Sequence, residues 1–198
     1  MKSVTYLLIG GGLASCEAVK GIRKHDKEGS ILLVSDEEHL PYHRPPLSKD
    51  LLRGEKAADD CTCEPASFYE ENGVELLLGR RVTELDAGSR NATIEGRESV
   101  SFQKALLATG ATPVRPPLDG MDLQGVHVLR TLDDSLAIQA AAKKGGKAVV
   151  IGAGFIGMEI SATLSGMGVD VTVIELADHL WGRLADAELA ALLRDYYP

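Results

Sequence analysis

The sequence predicts an α/β protein made of two strand–helix–strand units with a small antiparallel β-meander between them, the second unit being incomplete. The main observation is an internal repeat. The segments "VTYLLIGGGLASCEAV" and "KAVVIGAGFIGMEISA" share an apolar run, a glycine turn and an amphipathic helical stretch. Each copy leads into a second apolar strand, "SILLVSDEE" or "VDVTVIELA". Strand, helix and strand in this order form a parallel pair joined by a right-handed crossover.

The segment between the repeats has a different pattern. "EPASFYEENG" predicts a helix that ends at Gly73, and "VELLLG" predicts a third parallel strand. The short β-like runs "RRVTELDAG", "NATIEG" and "ESVSFQKALLATG" are separated by Gly and Asn turn residues, which predicts a meander that ends in a buried strand. "TLDDSLAIQAAAKKGG" predicts a helix capped by Thr131 or Asp133 and ended by Gly145.

The proline-rich stretch "ATPVRPPLDG" predicts a linker between two domains. We therefore expect one domain over residues 1–112 and a second over residues 113–198. The second domain has room for one strand–helix–strand and one further helix, "ADAELAALLRDYY". This is too little for a whole nucleotide-binding domain, so we expect a truncated chain. Its exposed apolar sheet would favour homo-oligomers or other association, or poor retention of a cofactor.

Composition excludes several classes of function. The formal net charge of −8 is unfavourable for a general nucleic-acid or anionic-membrane binder, because phosphate recognition needs a basic field. No apolar stretch approaches the length of a transmembrane helix, so we expect no membrane partner. Three cysteines without framework spacing are typical of a reducing compartment, and we expect a cytoplasmic protein with no metal site.

The two glycine turns predict dinucleotide sites of the Rossmann type. In such a turn the first glycine permits a tight bend, the second lets the backbone approach a diphosphate, and the third lets helix and strand pack closely. The helix N-terminus then faces the anion, and an acidic residue after the next strand binds the ribose. The second copy fits fully, with Gly152, Gly154, Gly157 and Glu175.

The first copy fits with one substitution. Gly10 and Gly12 take the first two positions, whereas Ser15 stands at the third, where a small side chain still allows close packing. Its acidic candidates are Asp36 and Glu37. Two dinucleotides in one chain indicate a flavin and a nicotinamide, which exchange hydride directly.

Glu175 bears on the choice of nicotinamide nucleotide. A carboxylate there accepts hydrogen bonds from a free ribose diol and repels a 2′-phosphate. The nearest following arginine is Arg183, eight positions later. The sequence therefore favours NADH over NADPH.

The segment "HLPYHRPPLSKDLL", residues 39–52, combines rigid prolines with charge. One interpretation is a solvated turn whose prolines end the preceding strand. The other is a clamp in which the prolines fix the backbone and Arg44 and Lys49 address a cofactor. The two dinucleotide turns favour the clamp.

With these residues identified, the chain resembles the FAD-dependent pyridine nucleotide–disulfide oxidoreductase superfamily, and within it the ferredoxin and rubredoxin reductase and apoptosis-inducing-factor-like branch. The resemblance rests on "GGGLAS", "LPYHRPPLSK", "LLATGATP" and "IGAGFIGMEI", in the family's order over nearly the whole chain. It implies an FAD-binding domain followed by an NAD-binding domain. It also implies an oxidoreductase of the ferredoxin reductase type, a flavoprotein that carries out electron transfer.

The resemblance also implies roles for individual residues. The FAD contacts would be Gly10, Gly12, Leu13, Ala14, Asp36 or Glu37, Arg44, Lys49, Thr109 and Gly110. The NADH contacts would be Gly152, Gly154, Phe155, Ile156, Gly157, Glu159 and Glu175. The catalytic pair would be Lys49, reaching the flavin ring, and Glu159, near the nicotinamide and flavin. An ammonium beside the flavin would stabilise the charge that reduction places on the ring, and a Lys–Glu pair would keep both groups charged.

The segment that in thiol-using relatives carries the redox cysteines has none here, since residues 39–60 contain no cysteine. We therefore expect NADH oxidation through the flavin to a separate acceptor, such as a ferredoxin or rubredoxin, without a redox-active disulfide. The alternative is a nucleotide-binding redox-sensing or scaffold module of the apoptosis-inducing-factor type, with little turnover.

Overall fold

The computed structural model describes residues 2–96, 99–182 and 185–195. The strands in this part of the chain are β1 (Lys2–Ile9), β2 (Ile31–Val34), β3 (Val74–Leu77), β4 (Val82–Asp86), β5 (Asn91–Ile94), β6 (Val100–Leu107), β7 (Lys147–Ile151) and β8 (Asp170–Ile174). The α-helices are α1 (Leu13–His25), α2 (Asp50–Arg53), α3 (Ala66–Glu71), α4 (Leu132–Ala142), α5 (Phe155–Gly166) and α6 (Ala187–Arg194). A 3-10 helix covers Pro45–Ser48, directly before α2.

The chain forms two compact units. The first unit comprises Met1–His43 and Cys61–Thr112, and the second comprises Arg44–Asp60 and Pro113–Pro198. The expected linker position after residue 112 coincides with the change of unit, but the segment Arg44–Asp60 packs with the second unit. Its Leu52 is fully buried in a core with Ile138 of α4 and Leu164 of α5. These long-range apolar contacts give the segment its place in the second unit.

The first unit is built on one six-stranded sheet of order β3-β2-β1-β6-β5-β4. β1 pairs in parallel with β2 and with β6, and β2 pairs in parallel with β3. β4, β5 and β6 form antiparallel pairs. The α/β class, the third parallel strand and the meander are therefore confirmed. The meander and the parallel strands share a single sheet because β6 pairs on both sides.

The prediction that the meander ends in a buried strand is wrong for the second half of β6. Lys104, Ala105 and Leu107 are exposed. The reason is the register, because β5 pairs with β6 only at Val100 and Ser101. Beyond that point the described residues place a strand, β1, on one side of β6 only.

Apolar side chains cover both faces of the first sheet. On one face Leu8 and Leu33 pack with Cys16 and Val19 of α1 and with Tyr69 of α3. On the other face a second cluster comprises Val4, Leu7, Ile9, Leu32, Val34, Ala92, Ile94, Val100 and Phe102. Burial on both sides explains why β1 and β2 are nearly continuous apolar runs.

A buried arginine ties α1 to the loops at its end. Arg23 donates from Nε to the Asn72 carbonyl at 2.8 Å, and from Nη1 to the carbonyls of Asp26 and Gly29 at 3.0 and 2.9 Å.

We expect Arg23→Met to lower the free energy of unfolding by about 3 kcal/mol, since three carbonyls lose a charged donor. Urea denaturation measures this loss. Lys24→Met, an exposed change on the same helix, is the control and should be near neutral.

The second unit contains the repeat of the glycine turn. β7 and β8 pair in parallel as a two-stranded sheet, with Val149 opposite Thr172 and Ile151 opposite Ile174. Ala148 and Val171 pack in the core of this unit. The opposite face is uncovered in the described part of the chain, and Val149, Ile151 and Ile174 are 61%, 58% and 54% exposed. The exposed apolar sheet that the sequence predicts for the second unit is thus present in the described part of the chain.

Helix α4 begins with a capping box. The Thr131 hydroxyl accepts from the Asp134 backbone N–H at 3.1 Å, and the Asp134 carboxylate accepts from the Thr131 N–H at 2.8 Å. Of the two possible caps, Thr131 is the one used, because its hydroxyl satisfies an otherwise unpaired N–H of the first turn.

Among the described residues, no helix has the length and apolar character needed to cross a bilayer.

Candidate functional site

The first glycine turn, between β1 and α1, is shaped by close backbone approach. Gly10 has φ of 115°, and a Cβ there would collide with the Ala108 carbonyl oxygen. A Cβ on Gly11 would lie 2.6 Å from the Cβ of Ser35. A Cβ on Gly12 would meet nothing within 4 Å. Gly10 and Gly11 are therefore needed for packing inside the protein. Gly12 leaves space open before α1.

The N-terminus of α1 borders this open space. Gly12 is its N-cap, without a side-chain hydrogen bond, and Leu13 and Ala14 are exposed. The first N–H groups of a helix have no intrahelical acceptor and carry the positive end of the helix dipole. Ser15, at the position of the third glycine, is fully buried, as the packing role predicts. The turn thus fits a diphosphate in front of α1.

A cavity of about 400 Å³ lies beside the first turn in the first unit. Its lining includes Gly10, Asp36, Thr109 and Gly110, which the sequence assigned to one cofactor. Two arginines outside the motifs, Arg80 and Arg81, line it as well. The Asp36 carboxylate accepts from Arg81 at 3.0 Å. Four of the expected FAD contacts are therefore neighbours around one concave surface.

The two acidic candidates after β2 have different surroundings. Asp36 is exposed and lines the cavity. Glu37 is partly buried, and its carboxylate accepts a short hydrogen bond from the Tyr42 hydroxyl. Tyr42 is buried and forms an isolated β-bridge with Gly12. The structure favours Asp36 as the group available to a ligand in this cavity, and it gives Glu37 a contact that supports the turn.

The second glycine turn, between β7 and α5, repeats the arrangement. Gly152 has φ of 100°, and a Cβ on Gly154 would meet nothing within 4 Å. A Cβ on Gly157 would collide with the Gly152 carbonyl oxygen, which is the close helix–strand packing that the motif predicts. Gly154 caps α5 without a side-chain bond, and Phe155 and Ile156 are more than half exposed. This turn also fits a diphosphate, in the second unit.

Glu175 lies at the second turn and bonds to backbone. Its Oε2 accepts from the Ala153 N–H at 2.7 Å, and its Oε1 accepts from Leu176 and Ala177 at 2.7 and 2.9 Å. The carboxylate thus connects the end of β8 to the glycine loop, which the sequence did not show. Arg183, the nearest arginine after Glu175, lies outside the described residues.

The segment Arg44–Asp60 brings Lys49 to Glu159 of α5, inside the second unit. Lys49 Nζ lies 2.6 Å from Glu159 Oε2, with side chains 42% and 36% exposed. Arg44 donates a short hydrogen bond from Nη1 to the Arg130 carbonyl. The expected pairing of Lys49 with Glu159 is therefore present, and Arg44 lies in the same unit.

The Lys49–Glu159 pair favours the charged carboxylate. Partial burial of Glu159 opposes ionisation, but hydrogen bonds from Lys49 and Ser48 and the charge of Lys49 outweigh it, so the pKa of Glu159 is below its ordinary value. Among the described residues, Lys49 is the one charged group that contributes to this lowering.

This lowered pKa predicts a pH dependence. The stabilisation from the pair is present above the ordinary carboxyl pKa and is lost as pH falls through the lowered pKa of folded Glu159. We therefore expect Glu159→Gln to reduce the free energy of unfolding at pH 7 and to differ less from the parent chain at about pH 3. Urea denaturation of both chains over this range measures the difference. A difference that grows toward acid would contradict the charged pair.

Polar side chains from α4 and α5 hold the segment Arg44–Asp60 in place. Ser135 Oγ donates to the Leu47 carbonyl at 2.7 Å, and Thr163 Oγ1 donates to the Ser48 carbonyl at 2.7 Å. Gln139 Nε2 donates to the Leu51 carbonyl at 2.7 Å. The "PPLSK" backbone is thus fixed by bonds to helices as well as by its prolines.

The three cysteines and His39 have other surroundings. Cys16 and Cys61 are buried, and burial raises the pKa of the Cys63 thiol to about 11, with further contributions from Cys16. His39 makes an edge contact with Tyr42, with ring centroids 6.4 Å apart. Within residues 2–96, 99–182 and 185–195, no group of three or more His, Cys, Asp or Glu side chains is arranged to hold a metal.

Comparison with known proteins finds relatives of similar sequence. The chain is 37% identical over 190 residues to the ferredoxin–NAD(+) reductase component of the biphenyl dioxygenase system of Paraburkholderia xenovorans, covering 96% of this chain and 46% of that protein. It is 34% identical over 191 residues to the rubredoxin–NAD(+) reductase of Pseudomonas putida, covering 96% and 50%. The chain therefore spans about half the length of the curated relatives it matches.

The fold has close structural counterparts. The crystal structure of the ferredoxin reductase for the CYP199A2 system from Rhodopseudomonas palustris superposes with a TM-score of 0.91 at 33% identity, covering 97% of this chain and 47% of that chain. A family model described as pyridine nucleotide-disulphide oxidoreductase matches residues 4–197. Because this match covers nearly the whole chain, the chain belongs to the pyridine nucleotide-disulphide oxidoreductase family.

Proposed function

We propose that this chain is the flavin- and nicotinamide-binding part of a reductase that oxidises NADH through FAD and delivers electrons to a separate ferredoxin or rubredoxin. The observation that carries the proposal is the presence of two glycine turns, each with open space before an uncapped helix N-terminus. The relatives are named ferredoxin–NAD(+) and rubredoxin–NAD(+) reductases, which supports the same reaction class.

In this proposal the first turn holds FAD. Its diphosphate lies at Gly12, Leu13 and Ala14, where the N–H groups of α1 donate. Asp36 accepts from the ribose, while Thr109 and Gly110 border the same cavity. We assign Arg44 and Lys49 to the flavin. Bound flavin supplies the capacity to accept a hydride and to release its electrons one at a time.

The second turn holds NADH. Gly154, Phe155 and Ile156 bind the diphosphate at the N-terminus of α5. The Glu175 carboxylate, already fixed on the glycine loop, accepts from the adenosine ribose and disfavours a 2′-phosphate, so we propose NADH over NADPH. Glu159 uses Oε2 for Lys49 and Ser48. Its Oε1 has no hydrogen-bond partner among the described residues, so it can accept from the amide of the nicotinamide.

Lys49 contributes electrostatics. Its ammonium, held at 2.6 Å from Glu159, is a fixed positive charge that favours negative charge on a neighbouring ring. Hydride transfer needs no general acid, so the main contribution of the chain is to orient the two nucleotides.

Residues 39–60 contain no cysteine, which supports an acceptor outside the chain. The three cysteines form no disulfide, so we also propose a reducing, cytoplasmic location.

The test is an absorption spectrum of the purified chain with added FAD, before and after NADH. With FAD in excess, so that weak retention of the cofactor does not limit its occupancy, we expect a flavin spectrum that NADH bleaches rapidly and stoichiometrically, followed by turnover when ferredoxin or rubredoxin is supplied. Failure to bind FAD or to be bleached by NADH would contradict the proposal for this chain. Slow bleaching with a long-lived charge-transfer band and a change in oligomeric state would favour the redox-sensing module instead.

A further inference from the structure

Ser48 bonds to the ion pair directly. It is 5% exposed, and its Oγ donates to Glu159 Oε2 at 2.5 Å. Lys49 Nζ approaches the same oxygen at 2.6 Å and lies 3.4 Å from Ser48 Oγ. Ser48 and Lys49 therefore both bind one oxygen of the carboxylate, although they are 111 and 110 residues from Glu159 in the chain.

The position of Ser48 is itself fixed from two sides. Its carbonyl accepts from Thr163 Oγ1 at 2.7 Å, and Thr163 lies one helical turn after Glu159 on α5. The preceding carbonyl, of Leu47, accepts from Ser135 Oγ of α4 at 2.7 Å. Ser135 and Thr163 are buried. With its backbone held at two successive carbonyls, Ser48 presents its hydroxyl to Glu159 in one direction.

A purely local role for this hydroxyl is less favourable. Its other available acceptor is the Pro45 carbonyl in its own 3-10 helix, at 3.5 Å. A hydrogen bond at that distance is weak, whereas one at 2.5 Å to an ionised carboxylate is strong. The hydroxyl therefore serves Glu159 more than its own turn.

We propose that Ser48 is a positioning residue that holds the Glu159 carboxylate in a single orientation, with Oε2 on Lys49 and Oε1 directed away from both donors. A lysine ammonium is a point charge with freely rotating donors, so alone it fixes neither oxygen. A second donor with a fixed backbone removes this freedom. The value of this orientation for hydride transfer rests on the proposed function, but the contact itself does not.

The test compares Ser48→Ala with a matched control, Ser161→Ala. Ser161 is also a buried serine and lies two residues after Glu159 on α5. Among the described residues, its hydroxyl bonds only to the Gly157 carbonyl, at 2.8 Å. The first readout is the ¹³C NMR titration of the Glu159 side chain, which needs no cofactor. We expect Ser48→Ala to decrease the acid dissociation constant of Glu159 about tenfold, and Ser161→Ala to leave it unchanged.

Two further variants keep the test decisive. Ser48→Thr retains the hydroxyl and should restore the parent titration. Ser48→Cys keeps the volume with a weaker donor, should give an intermediate value, and replaces Ser48→Ala if that chain does not fold. An unchanged Glu159 titration in Ser48→Ala, or in Ser48→Cys where the alanine chain does not fold, would overturn the proposal.

The second readout is the rate of flavin bleaching by NADH in the chain with FAD. We expect Ser48→Ala to lower this rate about tenfold while the NADH concentration for half-saturation changes less, because orientation is lost and binding is kept. Suppose that the Glu159 titration shifts in Ser48→Ala but NADH bleaches the flavin neither in the parent chain nor in any variant. Then Ser48 positions Glu159 and the proposed function fails. If bleaching occurs and the titration does not shift, the proposed function stands and this inference fails.

Discussion

Replacing Gly157 with alanine is expected to weaken NADH binding by about 100-fold. The added Cβ would collide with the carbonyl oxygen of Gly152, a backbone atom that cannot move without opening the glycine turn. Gly152 itself has φ of 100°, a conformation that few other residues adopt, so the turn has little freedom to adjust. The N-terminus of α5, to which we assign the diphosphate of NADH, would be displaced.

Binding can be measured through the single tryptophan of the chain, Trp181. The ring centroids of Trp181 and Phe155, the first residue of α5, are 4.9 Å apart. NADH bound at this helix end should therefore quench the fluorescence of Trp181. The matched control is Gly166→Ala, at the other end of the same helix, where a Cβ meets nothing within 4 Å. We expect the control to bind NADH normally and to be slightly more stable. Equal affinities for the two variants would contradict the assignment of this turn to NADH.

The glycine pattern allowed the sequence to predict both turns, because the reasons for each glycine are local. Gly157 is an example: the motif places it three residues after Gly154 for close packing, and the structure has the carbonyl of Gly152 at that point. Thr131 as a helix cap is equally local. What a residue must do within its own turn of chain can be inferred without knowing the fold.

The sequence could not show contacts that depend on distant segments. Nothing near Ser48 indicates that it meets Glu159, and nothing near Glu37 shows that Tyr42 occupies its carboxylate and leaves Asp36 to line the cavity. The exposed half of β6 follows from its pairing register, which an apolar run alone does not reveal. Arg80 and Arg81 line the cavity, although their place in the β-like run "RRVTELDAG" gives no sign of this contact.

Replacing Lys49 with methionine is expected to lower the rate of flavin reduction by NADH about 100-fold, the usual effect of removing one fixed electrostatic donor. Methionine keeps the length and apolar stem of the side chain and removes its charge, which leaves the Glu159 carboxylate with Ser48 alone among the described residues. Lys56→Met is the control. Lys56 lies in the same segment and pairs with Asp50 at 3.7 Å, so its loss should leave the rate unchanged.

A double-mutant cycle decides whether Lys49 and Glu159 act as a pair. If Glu159 works by holding the ammonium, Glu159→Gln should slow flavin reduction in the parent chain and have little further effect once Lys49 is methionine. If the two reductions in rate multiply in the double variant, each residue acts on the nucleotides separately. Stopped-flow reduction of the four chains, each reconstituted with FAD, gives the comparison. A fast rate in Lys49→Met would exclude Lys49 from the reaction, even with the 2.6 Å ion pair intact in the parent chain.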